Sequence, residues 1–180
     1  MSGEHVPGAA TALPLAGRRA LAVEVQALEG SADGSGRRQA TGLDPRRFLL
    51  VAAVLDRAAG VPLGRAELFG ASTGGVRVDD PACDLAVAVA LASAATGIPC
   101  PAGSAFVGEL ALTGLLRPAP AMAQRLAAAR AAGIRTVFAP TSAAGQRPVD
   151  GIRLVPVRHL RDGLQWMLGA VDATDVVRSA

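Results

Sequence analysis

DDPACDLAVAVALASAATGIPCPAGSAFVGELALTGLLRPAPAMAQRLAAARAAGIRTVFAP, residues Asp79 to Pro140, is the stretch whose reading decides the fold. Asp79-Asp80-Pro81 has the form of a helix start, with an acidic cap, Pro at the first helical position and carboxylates at the positive end of the dipole. Residues 82–95 then run apolar on nearly every side, interrupted by Asp84, so this helix belongs in the centre of the molecule. Gly97 stops it. Phe106–Leu110 and Leu112–Leu116 read as a strand pair. Pro118 and Pro120 break the chain before a helix over 121–132, with Met122, Leu126 and Ala129 on its apolar stripe and Gly133 as its cap. A strand over 135–139 ends at Pro140. The order is helix, β-hairpin, helix, strand.

Working outward, residues 1–8 read as a leader or linker stub. Two strands follow, over 9–15 and 19–28, around a turn at Ala16-Gly17-Arg18. In the second, Leu21, Val23, Val25 and Ala27 alternate with Ala22, Glu24, Gln26 and Leu28, the period of a half-buried strand. Gly30–Gly36 is a loop by composition, and 39–43 a short strand. Asp44-Pro45 predicts a helix N-terminus, and Gly60 its end. Phe48, Val51, Ala52 and Leu55 mark that helix's core face, leaving Arg46, Arg47 and Arg57 to face solvent. Strands are expected over 66–72 and 75–78, again over 152–157, and a last amphipathic helix over 159–168. The main domain spans 9–170, with 171–180 as a frayed tail. The expected fold is α+β, one domain of mixed sheet with packed helices.

Composition narrows the chemistry. The 180 residues suffice for one domain with a real core, and 51% hydrophobic content with 18% charged residues is globular. All 18 basic residues are Arg. Without Lys there is no Ser–Lys dyad, no Schiff-base lysine and no GxxxxGK phosphate loop. A formal net charge of +3 permits nucleic-acid contact without demanding it. Cys83 and Cys100 lack metal-ligand spacing, and no cofactor or metal site is expected. No signal-peptide pattern or membrane span is evident, so a cytoplasmic location is expected.

Several segments carry a family resemblance. Val23-Glu24-Val25-Gln26-Ala27-Leu28, Arg37-Arg38-x-Ala40-Thr41-Gly42-Leu43-Asp44 and Val54-Leu55-Asp56-Arg57-x-x-Gly60 are similar to the C-terminal domain of the bacterial RadA (Sms) recombination and repair family. Gly74-Gly75-Val76-Arg77, Asp84-Leu85-Ala86, Gly108-Glu109 and Gly114 extend the match from about residue 6 to 168. The resemblance implies a Lon-protease-like domain, which in that family follows a zinc finger and a RecA-like ATPase domain; neither pattern is found in these residues. It further implies DNA as partner and a homo-oligomer, with a hexameric ring as the form to expect. One segment departs. Ala111 and Leu115 stand where RadA-like hairpins carry Gly and Glu, and Gly-Glu-Leu-Ala-Leu-Thr-Gly looks closer to the Lon-like domain of magnesium-chelatase-related, ComM-like proteins.

Lon-type peptidases use a Ser at a helix start and a Lys on the later helix. By order, Ala82 and Ala123 occupy those two positions, and a methyl group can neither attack a carbonyl nor take a proton. A residual peptidase would need Cys83 as nucleophile and His159 as base, although a Cys on an apolar helix is ordinarily a small core residue. Ser72 and Thr73 are either anion-binding through the backbone or plain turn residues. Glu109 is either a structural acceptor or a relic of site architecture. The expectation is a protease-like shell without proteolysis, contacting DNA phosphates through Arg37, Arg38, Arg46 and Arg47. The alternative for those arginines is a solvated face paired with Asp33, Asp44 and Asp56. With 3% aromatics, base stacking is not expected.

Overall fold

A computed structural model describes residues 6–31 and 33–169. The first chain reversal is a hairpin with a bent tip. Strand β1 (Ala9–Ala12) pairs antiparallel with β4 (Val23–Glu29), while β2 (Leu15–Ala16) and β3 (Arg19–Ala20) form a two-stranded tip. Gly17 turns the tip at φ 63°. As the alternation requires, Val23 and Val25 are buried; Leu21, beyond the strand proper, is exposed.

The loop after β4 leads to β5 (Arg38–Thr41), and helix α1 (Pro45–Ala59) begins one turn later. Its N-cap is Asp44, whose side chain accepts from the Arg46 and Arg47 amides at 2.8 and 3.2 Å, and Gly60 closes it at φ 72°. Phe48, Val51, Ala52 and Leu55 are buried as the spacing predicts. Strand β6 (Leu68–Ser72) lies between β4 and β5. The strand expected over 75–78 is reduced to an isolated bridge between Leu43 and Val78, because Gly74 and Gly75 both take φ 69° and turn the chain off the sheet.

Asp80 caps a 3-10 turn (Pro81–Cys83) that runs directly into α2 (Asp84–Thr96). Every residue of α2 from Asp84 to Ser93 is buried, and Gly97 ends it at φ 70°. The strand pair expected over 106–116 is a correction. Strand β7 (Ser104–Phe106) joins the main sheet, and the hairpin is the smaller pair β8 (Glu109–Leu110) and β9 (Leu116–Arg117). The chain leaves β7 because the Gly108 amide donates to the Ala82 carbonyl while the Gly108 carbonyl accepts from the Leu85 amide, drawing this segment to the start of α2.

Helix α3 (Met122–Ala131), strand β10 (Thr136–Pro140), a 3-10 turn (Thr141–Gly145), strand β11 (Arg153–Val157) and helix α4 (Leu160–Met167) complete the order. The main sheet has seven strands in the order β11-β10-β7-β1-β4-β6-β5. The β1–β4 and β4–β6 pairs are antiparallel and the others parallel, which makes it mixed. The α+β architecture with packed helices is therefore present.

One core lies between the sheet and α1, α2 and α4, holding Val25, Leu68, Leu85, Leu91, Phe106 and Phe138. Phe106 and Phe138 face each other across β7 and β10 with centroids 5.2 Å apart. A smaller core on the opposite face holds Leu13, Val137 and Ala139 under Met122, Leu126 and Ala129 of α3. The expected leader lies largely, and the frayed tail wholly, outside the described residues.

Ala121 precedes α3 with φ 57° and ψ 41°, the only non-glycine at positive φ among the described residues. A left-handed L-residue costs about 1–2 kcal/mol, part of which Gly returns as unfolded-chain entropy. Ala121→Gly is accordingly expected to raise stability by about 1 kcal/mol, read as a higher urea midpoint at unchanged slope.

Candidate functional site

Asp84, the charge inside the apolar run, is only 3% exposed. A carboxylate there must be met by a cation and by hydrogen-bond donors. Both are present. Arg47 of α1 forms a two-armed pair with it, Nε to Oδ1 at 2.8 Å and Nη2 to Oδ2. The Leu110 amide of β8 donates to Oδ2 at 3.0 Å. Glu109 Oε1 lies 3.7 Å from Arg47 Nη2. One carboxylate thus fastens α1, α2 and the β8–β9 hairpin together. Burial pushes the Asp84 carboxyl above its ordinary range, opposed by Arg47 and the Leu110 amide. The hydrogen bond to Asp84 holds the Arg47 guanidinium firmly charged.

Four residues upstream, Asp80 makes the complementary tie on the other face. Arg125 of α3 is completely buried. Its Nη1 donates to Asp80 Oδ2 at 2.7 Å and to the Leu13 carbonyl at 2.6 Å, and its Nε donates to the Pro120 carbonyl at 2.9 Å. Asp80 also accepts from the Leu15 and Ala82 amides, both at 3.0 Å. Burial acts to raise the Asp80 carboxyl; Arg125 and the two amides more than offset it, so its pKa is lowered. Among the described residues, Arg125 Nη2 is the one buried side-chain polar atom without a partner.

Between these pairs sits Ala82, buried in the 3-10 turn within the smaller core, while Ala123 is exposed on the first turn of α3. Cys83 is buried, and burial pushes its thiol far up, away from the thiolate a nucleophile requires. Cys100 behaves alike, pushed up to about 12 by burial. His159 is engaged elsewhere. It caps α4, with Nδ1 accepting from the Arg161 amide at 3.0 Å and Nε2 2.9 Å from the Thr113 carbonyl, so one neutral tautomer serves both bonds. The cleft lined by Cys83, Asp84 and Arg47 encloses about 20 Å³, room for a water molecule and not for a peptide. Ser72 and Thr73 are turn residues: Ser72 Oγ donates to the Gly42 and Val76 carbonyls, and Thr73 donates through N and Oγ1 to the Glu24 carbonyl. Among the described residues, no three His, Cys, Asp or Glu side chains are grouped to ligate a metal ion, and no helix is long and apolar enough to cross a membrane.

The four arginines singled out from the sequence divide into two kinds. Arg37 and Arg46 are exposed and in no ion pair among the described residues. Arg38 is half-buried, its guanidinium donating to the carbonyls of Gly36, Gly64 and Ala66, which staples β5 to the segment before β6. Arg47 does not face solvent: Asp84 requires its charge. The pairing partners considered in the sequence, Asp33, Asp44 and Asp56, form no ion pair with any of the four guanidinium groups among the described residues; Asp44 meets Arg46 and Arg47 only through their backbone amides. Arg125 escaped sequence reasoning altogether. Its only signal was an Arg one position before the apolar stripe residue Leu126, which also suits a solvent-facing side chain.

Removing Arg47 leaves a buried carboxylate uncompensated, and breaking such a pair costs about 3–5 kcal/mol. Arg47→Ala should lower unfolding stability by about 3 kcal/mol at neutral pH. Arg47→Met with Asp84→Leu should lose much less, since no charge remains buried. Urea titration of both variants checks this. Asp80 supplies a pH test. Its folded pKa lies below the ordinary value of 3.8, so its stabilisation is complete above that value and is lost as pH falls through the folded pKa. Thermal melts below about pH 4 should therefore show a steeper acid loss for the parent chain than for Asp80→Asn.

Comparison with known proteins places these elements. The family description "Subunit ChlI of Mg-chelatase" matches residues 71–143, the segment from the end of β6 through the start of the 3-10 turn after β10. The DNA repair protein RadA of Mycolicibacterium smegmatis is 35% identical over 162 residues, 90% of this chain and 34% of that protein. RadA of Mycobacterium tuberculosis is 35% identical over 93% of this chain and 35% of its own length. RadA of Streptococcus pyogenes reaches 40% over 76% of this chain and 30% of its own. The chain spans about a third of the length of these curated relatives. Over nearly its whole extent, the chain belongs with the corresponding part of the RadA DNA repair family.

Proposed function

We propose that this chain is a proteolytically inactive Lon-like domain of RadA type, serving ring assembly and sequence-independent DNA contact in recombinational repair and branch migration. The carrying observation is the combination of RadA similarity across nine-tenths of the chain with the total absence of Lys. The first points to DNA repair; the second removes the general base of a Lon-type peptidase. Ala82 and Ala123 at the two working positions support the same reading, as does the buried, protonated Cys83. Motor activity belongs to the RecA-like ATPase domain expected in a longer relative. The cytoplasm is the compartment where such a partner and DNA are met.

DNA contact in this reading is electrostatic. Guanidinium groups fit phosphate oxygens, and the low aromatic content gives no platform for stacked bases. Of the four arginines first considered, Arg37 and Arg46 are available to phosphate, while Arg38 and Arg47 hold the fold. A second reading has its own support: the ChlI match covers the β8–β9 hairpin, where Ala111 and Leu115 depart from the RadA-like pattern. It would make the chain a Lon-like domain of a magnesium-chelatase-related protein, and it shares the absence of proteolysis.

Two outcomes are expected. Fluorescence anisotropy with duplex DNA at low salt should show binding that Arg37→Ala with Arg46→Ala weakens several-fold without loss of stability; unchanged affinity would remove these residues from the DNA surface. Casein and fluorogenic peptides should remain uncleaved, with Cys83→Ala indistinguishable from the parent chain. Cys83-dependent turnover would overturn the non-proteolytic assignment.

A further inference from the structure

A second cavity lies at the β11 edge of the main sheet. It encloses about 280 Å³, against about 20 Å³ beside Asp84. Leu126 of α3, Ile152, Leu154 and Pro156 of the β11 segment, and Pro148 and Val149 of the loop before it line this space. Leu126 is buried, Val149, Ile152 and Leu154 are half-buried, and the two prolines are exposed, so apolar surface is left open to water. The rim is basic. Arg147 lines the opening and Arg153 stands at the start of β11; both are exposed, and neither is in an ion pair among the described residues. Between residues 110 and 157 the only acidic side chain is that of Asp150.

The edge itself is blunted. The Arg153 amide donates to the Arg135 carbonyl at 2.7 Å, so along β11 the backbone groups of Leu154 and Pro156 turn to the open side. Pro156 brings no N–H, which leaves the Leu154 amide as the donor of that stretch. Such an edge discourages a long strand and accommodates one residue pair of a short segment. The last described residue lies near this end of the sheet. A Cβ at Gly169 would lie 3.8 Å from Pro101 Cγ, which sets the end of α4 against the loop leading into β7. From there Gly103, Arg135 and Arg153 step across the starts of β7, β10 and β11, the Arg135 amide donating to the Gly103 carbonyl at 2.9 Å. Neighbouring strands lie about 4.8 Å apart. An extended chain advances about 3.3 Å per residue, so residues 170–180 outreach the two spacings from β7 to β11 several-fold.

We propose that this cavity is the docking site of the chain's own C-terminal segment, Val171–Val177, with its valines against Ile152 and Leu154, Asp175 at Arg147 and Asp172 at Arg153. That segment lies outside the described residues, and its chemistry and reach single it out as the occupant. It reads Val-Asp-Ala-Thr-Asp-Val-Val. Its three valines suit an extended backbone laid on apolar surface. Asp172 and Asp175 carry the charge that the basic rim lacks, and complementary charge fixes register. Asp175 directly precedes Val176 and Val177, so a valine pair seated in the cavity brings a carboxylate to its rim. The tether makes occupation intramolecular, and contacts too weak to hold a free peptide then suffice. The segment would cover the open side of β11 and withhold the Leu154 amide from other strands.

Methyl NMR on the full chain tests this, because the chain has three isoleucines, Ile98, Ile134 and Ile152, and only Ile152 lines the cavity. In the parent chain the Ile152 methyl should show through-space cross-peaks to valine methyls of residues 171–177, and these should persist on dilution. Val176→Asp with Val177→Asp should abolish the cross-peaks and shift the Ile152 resonance. Arg147→Glu should move that resonance in the same direction, and adding Asp175→Arg should return it to the parent position. No cross-peaks in the parent, with an Ile152 resonance indifferent to the valine substitutions, would leave the segment frayed and overturn the proposal. Cross-peaks that vanish on dilution would put a second copy in the cavity and overturn it equally. Failure of Asp175→Arg to restore the resonance would overturn the placement of Asp175 at Arg147.

Discussion

The packing of α1, α2 and the β8–β9 hairpin on one another depends on the Asp84 carboxylate. It sits at the first turn of a helix buried from Asp84 to Ser93, away from bulk solvent. The chain meets this constraint by bringing Arg47 from α1 and the Leu110 amide from β8 to the same two oxygens. The position of α1 against α2, and of the hairpin against both, follows from satisfying one charge. A buried pair of this kind gives little net stability relative to apolar side chains, but it penalises every arrangement that separates its members. Here it specifies where the hairpin lies. Asp80 with Arg125 does the same for α3 on the opposite face, so the short turn from Asp80 to Asp84 is pinned to both layers.

In the proposed reading, the same pairs keep a protease-like architecture in place without its chemistry. The turn from Asp80 to Asp84 and helix α3 are held by carboxylate–guanidinium pairs, and the positions that reading assigns to a nucleophile and a base carry the methyl groups of Ala82 and Ala123. The cleft beside Asp84 and Arg47 encloses space for about one water. What remains outward includes the exposed Arg37 and Arg46 at the β5 and α1 margins and the exposed Leu112 and Leu115 of the hairpin.

Much of this architecture was legible in the sequence because it is locally encoded. Asp44-Pro45, Gly60 and Gly97 mark helix ends through capping and left-handed glycine, which depend on neighbours in the chain. The apolar run after Asp80 foretold a central helix. The misses share a different cause. The strand reading across Phe106–Leu110 fails at Gly108, whose amide donates to the Ala82 carbonyl and whose carbonyl accepts from the Leu85 amide, a contact no alternation pattern encodes. Arg47 reads as a solvated side chain because its helix position suits solvent; its partner lies 37 residues away in sequence. Arg125 was invisible for the same reason. The presence of Asp84 in an apolar helix did announce that some cation had to come to it, and only the fold says which.

The central claim is that Asp84 holds the β8–β9 hairpin as an integral part of the core rather than as a surface appendage. Native-state hydrogen exchange at the Leu110 amide tests it most directly, since that proton is donated to Asp84 itself. The account predicts that it exchanges only through global unfolding, at the rate of the α2 core amides, and that Arg47→Ala releases it to local opening. Exchange of Leu110 in the parent chain as fast as that of an exposed loop amide would contradict it.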